Sequence, residues 1–128
     1  MEEKELLDKI EEDLKNENYH NEIEEFVYSR ILVIGETVKE HYNVMVSQIL
    51  QHAIKKLGEI KLIYTNLICL PIVSLHPLFE LNSHQVISGT YKAGYLSNIP
   101  LYISPYVEEG AGYILNSEGK IFKFNLID

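Results

Sequence analysis

Tryptophan is absent, and arginine and cysteine each occur once in the 128 residues. The lone Cys69 has no second thiol in the chain, which excludes an intrachain disulfide framework and favours a reducing compartment. The lone Arg30 cannot form a basic patch, so direct sequence-specific nucleic-acid binding is not expected. Long apolar runs are missing too. Ile31–Ile34 and Leu67–Val73 are the longest, and both stop far short of a membrane span. The opening Met1-Glu2-Glu3-Lys4-Glu5 is acidic, with no apolar core of signal length behind it. The sequence therefore predicts a soluble chain with no membrane partner.

What is present is ordinary globular composition with 46% hydrophobic residues, enough for one domain over 1–128 with a sizeable core. The charge is uneven. Residues 1–40 hold thirteen Asp/Glu against five Lys/Arg, whereas residues 41–128 hold six of each. The formal charge of −8 is thus carried by the front of the chain. An acidic front repels a phosphate backbone and suits a protein partner better.

Residues 2–17 read as an amphipathic helix whose narrow stripe is Leu6, Leu7, Ile10 and Leu14. Such a helix either rests on its own domain or docks on a partner. Asn16–Asn21 reads as a break, so 1–20 form an acidic helix and linker ahead of a globular body at 22–128. Residues 22–34 are ambiguous between strand and helix, because Phe26, Tyr28 and Ile31–Ile34 favour one and Glu22, Glu24 and Glu25 the other. A core helix is predicted over Glu36–Leu57, with Val46, Ile49, Leu50, Ala53, Ile54 and Leu57 on one face and Gly58 as its stop. Ile60–Tyr64 reads as a buried strand, and Pro71 as the opening of a short helix over 71–80. Ile99, Leu101 and Ile103 alternate as a half-buried strand. A hairpin follows, from Tyr113–Leu115 through the turn Asn116–Gly119 into Lys120–Ile127, with Phe122, Phe124 and Leu126 on one face. These elements predict an α+β fold with helices packed on a mainly antiparallel sheet.

No constellation points to catalysis, a cofactor or a metal. His41 and His52 share a helix face but stand eleven residues apart, and zinc on a helix requires i and i+4. His76 and His84 have no cysteine pair near them. Cys69 sits in an apolar run, a setting for a structural thiol. Ser88-Gly89 and Ser104-Pro105 lack a nucleophile-elbow pattern, and Gly110-Ala111-Gly112 is a turn without phosphate-loop context. Tyr91, Tyr95, Tyr102, Tyr106 and Tyr113 gather in the last third, either as an interface or simply as strand residues.

The run Gly94-Tyr95-Leu96-Ser97-Asn98-Ile99-Pro100-Leu101-Tyr102-Ile103-Ser104-Pro105-Tyr106, followed by Glu108-Glu109-Gly110 and Tyr113-Ile114-Leu115, resembles a segment of tailed-bacteriophage major capsid proteins. Those shells share the Hong Kong 97-like fold. Asn66-Leu67-Ile68-Cys69-Leu70-Pro71 is similar to a second family passage that leads from a strand into a short helix. The resemblance covers about residues 40–128 and implies the axial domain, which clusters around symmetry axes of the shell. The extended arm, long hairpin loop and spine helix of a full subunit have no room here, and Ser104 stands where aspartate is common.

The resemblance implies a virion structural or capsid-associated subunit that assembles with itself or other capsid subunits, built in the host cytoplasm. It places the protein contact at Gly94, Leu96, Asn98, Tyr102, Pro105, Tyr106, Glu108 and Glu109. Gly94 and Asn98 are expected to supply positive φ in the turn before the strand, and Pro105 a rigid corner. The competing expectation is a free-standing adaptor or inhibitor using the same tyrosine-rich face. A small enzyme is the least favoured reading.

Overall fold

The computed structural model describes residues 2–16, 23–29, 33–66, 69–81 and 90–127. The expected break at Asn16–Asn21, Ile31-Leu32, Leu67-Ile68, His84 and Ser88-Gly89 fall wholly or largely outside them. The protein is α+β: α1 (Glu3–Asn16), β1 (Ile23–Ser29), α2 (Val38–Leu57), β2 (Ile60–Thr65), α3 (Leu70–Ser74), β3 (Phe79–Leu81), β4 (Tyr91–Leu96), β5 (Ile99–Ile103), β6 (Ala111–Asn116) and β7 (Ile121–Ile127). The strands form one seven-stranded sheet in the order β1-β7-β6-β2-β5-β4-β3. Most neighbours are antiparallel, while β1 runs parallel to β7 and β2 parallel to β5.

Period-two alternation gives the sheet two apolar faces. On one face Ile63, Leu101, Ile114, Phe122 and Phe124 meet Met45, Val46, Ile49 and Ala53 of α2 and Val73 of α3. On the other, Leu62, Tyr64, Tyr113, Leu115 and Ile121 meet Leu6 and Ile10 of α1. A register shift between Ile60 and Leu62 opposite β6 returns Ile60 to the α2 side, beside Ile63. The central strands are thereby covered on both sides, and every residue of β6 is buried.

Several expectations change at their boundaries. The ambiguous stretch is strand over Ile23–Ser29, where β1 lies at the edge of the sheet on β7. An edge position tolerates Glu24 and Glu25, which would be costly in a central strand. α2 begins at Val38 and not Glu36, because Thr37 and Glu40 form a reciprocal capping box. α3 ends at Ser74, well short of the expected residue 80. Pro77 explains this, since proline disfavours helix in the residue before it and cannot donate within one.

The hairpin stands as expected, with β6 antiparallel to β7. Asn116 organises its turn: Oδ1 accepts from Glu118 N and Lys120 N, while Nδ2 donates to Leu57 O at the end of α2. α1 rests on its own domain, with Leu6 and Ile10 fully buried and Leu7 and Leu14 packed around them.

Candidate protein-contact surface

β5 and β6 flank β2 on opposite sides, so the chain between them must cross the end of β2. Residues 104–110 make that crossing, and β2 itself fastens them down. Ser104 N donates to Thr65 O at 3.0 Å, Asn66 Nδ2 to Val107 O at 2.6 Å, and Thr65 Oγ1 to Ala111 O at 2.9 Å. The buried Ser104 hydroxyl is the hub. Its oxygen accepts from Tyr64 OH and from Tyr106 N, and Thr90 Oγ1 lies 3.3 Å away. Burial, with the hydrogen-bonding contacts to Ser104 and Thr90 working the other way and Glu11 adding to it, pushes the Tyr64 hydroxyl up to about 12. Tyr64 therefore remains a proton donor throughout the neutral range.

The outward side of this corner is Pro105, Tyr106, Glu108 and Glu109, all exposed. Tyr106 is 43% exposed and Lys15 of α1 stands over its ring at 4.5 Å. Glu108 pairs with Lys123 at 2.6 Å. These four, among the eight expected contact residues, form the accessible surface of the corner.

The other four sit differently. Leu96 is 2% exposed and belongs to the core under α2. Gly94 is buried inside β4, and it does not supply a positive φ. Positive φ falls on Ser97 (51°) and Asn98 (64°), the two loop residues between the paired Leu96 and Ile99. Glycine is required at 94 for another reason: a Cβ there would lie 2.1 Å from Glu80 O of β3. Asn98 is exposed at the hairpin tip.

Tyr102 is engaged within the molecule. Its hydroxyl donates to Glu3 of α1, and Lys92, opposite Tyr102 on β4, reaches the same carboxylate at 2.9 Å. Burial alone would raise Glu3, but the hydrogen bonds from Tyr102 and Lys92 and the lysine charge outweigh it and hold the carboxyl below 4.5. Burial and the bond to Glu3 push Tyr102 up to about 12. The tyrosine cluster thus divides: Tyr113 is core, Tyr91, Tyr95 and Tyr102 are half-buried in strands, and Tyr106 alone of the five is exposed. Sequence reasoning missed that Tyr102 and Tyr113 are already packed on the side covered by α1.

His76, His41 and the Cys69 thiol have structural surroundings. His76 Nδ1 accepts from Leu78 N, leaving Nε2 to donate to Ser47 Oγ at 3.0 Å, and burial holds its pKa below 6.5. His41 is buried with Glu36 at 3.6 Å. Burial pushes the Cys69 thiol up. Among the described residues, no three His, Cys, Asp or Glu side chains are placed to hold a metal ion, and no helix is long and apolar enough to cross a membrane.

Comparison with family models gives no match, and comparisons with curated proteins and with solved structures give none.

Proposed function

We propose that this chain is a non-catalytic assembly subunit, a virion structural protein of the capsid axial-domain kind, that contacts neighbouring subunits through the 104–110 corner. The carrying observation is the contrast between the two sides of that corner. Its inner side is fixed to β2 through Ser104, Thr65 and Asn66, while its outer side presents Pro105, Tyr106, Glu108 and Glu109. A surface held in one shape before it meets a partner loses little conformational entropy on binding. Tyrosine at its apex suits a contact that is apolar at one end and wet at the other. The resemblance of 94–115 to phage capsid proteins supplies the class of partner, another copy or another shell subunit.

Hydrogen exchange on the full chain at low and high concentration tests the contact. Amides of 104–110 are expected to gain protection as concentration rises, and Tyr106→Ala and Pro105→Gly to abolish that gain. Protection unchanged by concentration would remove the corner as a self-contact and leave the adaptor reading, with a different protein as its partner.

A further inference from the structure

His76 lies between the end of α3 and the start of β3. Its backbone N donates to Val73 O, and Phe79 N donates to His76 O across a tight turn with Pro77 at the second position. The imidazole works at both nitrogens. Nδ1 lies 3.2 Å from Leu78 N, a backbone donor, and so must accept. The proton of the neutral ring is therefore on Nε2, which donates to Ser47 Oγ of α2 at 3.0 Å. One ring thus ties the entry of β3 to α2.

β3 has few other attachments. It is a terminal strand that pairs with β4 over the three residues Phe79–Leu81. Glu80 and Leu81 are exposed, Phe79 packs on the core under α2, and Leu78 O accepts from Ser97 N. Short edge strands with few apolar contacts sit at the low-stability end of a fold. Protonation of His76 is incompatible with its bonds. The added proton goes to Nδ1, where it meets the Leu78 N–H, donor against donor. It also places a charge on a residue that is only 7% exposed.

Among the described residues no anion bonds to the ring to receive that charge. α3 carries no titratable side chain. The α2 face of Ser47 carries Glu40, about two turns away and engaged in the Thr37 capping box. β3 and β4 contribute Glu80 and Tyr95, paired opposite each other, while Lys92 of β4 is engaged with Glu3 of α1. The partners of the ring are Ser47 and Leu78 N, and burial alone holds its pKa below 6.5. We propose that His76 is an acid-operated latch on β3, closed while the ring is neutral and opened when Nδ1 takes a proton, so that 77–81 leave α2 and β4. The backbone groups of β4 that pair with 79–81 are then open to another strand. The latch is independent of the corner at 104–110 and of the assembly reading.

Because the folded ring is harder to protonate than a free one, the closed form is fully favoured above 6.5, and its advantage is lost as pH falls through the lowered value. Hydrogen exchange on the full chain, followed from about pH 7.5 to about pH 5, tests this above the ordinary carboxylate range. Protection factors of the Leu78, Phe79 and Ser97 amides are taken relative to α2 and the β6–β7 hairpin. They are expected to fall by up to about tenfold for each pH unit below 6.5, because opening takes up one proton. His76→Asn keeps an acceptor at the first position of the turn and removes the titration, so its ratio is expected to stay flat. The imidazole resonances of the unaltered chain give a second reading that needs no variant: a proton on Nε2 and none on Nδ1 at neutral pH, with a midpoint below 6.5. The opposite tautomer, a midpoint at or above 6.5, or a flat ratio in the unaltered chain would each overturn the latch. A fall that persists in His76→Asn would overturn it too.

Discussion

At Gly94 and Ser104 the side chain, or its absence, decides how two strands or a strand and a loop meet. Gly94→Ala places a methyl against the backbone oxygen of Glu80, which cannot swing aside as a side chain can. β3 must then shift from β4, a strain of about 1–3 kcal/mol. Chemical denaturation is expected to show that loss, with amide protection falling first in 79–81. Ser104→Ala removes the oxygen that accepts from Tyr64 OH and Tyr106 N and leaves both donors to find new partners. A buried donor left unsatisfied costs about 1–3 kcal/mol, so the variant is expected to lose stability in the same measurement and to loosen 104–110. Unchanged stability would mean that Ser104 is not the hub of the corner. The sequence already made 94 and 104–106 worth attention, but its reason for Gly94 was the wrong one. Close approach to Glu80 depends on β3 lying beside β4, and no local pattern announces that pairing.

The attachment of α1 is part apolar and part polar. Leu6 and Ile10 are its buried anchors, and Glu3 ties its first turn to Lys92 and Tyr102. Because the Glu3 carboxyl is lowered below 4.5 in the folded chain, its contribution is fully present above 4.5 and is lost as pH falls through the lowered value. Tyr102, raised from 10.0 to about 12, contributes fully below 10.0 and loses that contribution as pH rises through about 12. The clamp is thus complete between about pH 4.5 and 10. Hydrogen-exchange protection factors in 3–16, taken relative to α2, are expected to drop on acidification below that window, and Glu3→Gln to remove most of the drop. A ratio that stays flat into acid would contradict the clamp. α1, α2 and the β6–β7 hairpin were legible in the sequence because each is specified locally, by apolar spacing, a stop glycine or turn residues. β1 was not, since its local preferences are balanced and its partner β7 lies at the far end of the chain. α3 was overextended although Pro77 stood inside the expected span.

For the whole molecule, the sheet covers itself. α2 and α3 close one face and α1 closes the other, which turns Tyr102 and Tyr113 from candidate interface residues into internal packing. What remains for neighbours is the rigid corner over β2. That corner was not fully readable from the chain. The corner residues were named by the family resemblance, but their division into inward and outward sides follows from the way 104–110 crosses β2. The measurement closest to the central claim is the mass of the unaltered full chain by sedimentation velocity across a wide concentration range. Discrete species at multiples of the monomer mass, growing with concentration, are the predicted result. A single monomeric boundary at every concentration would contradict self-assembly as the function of this chain.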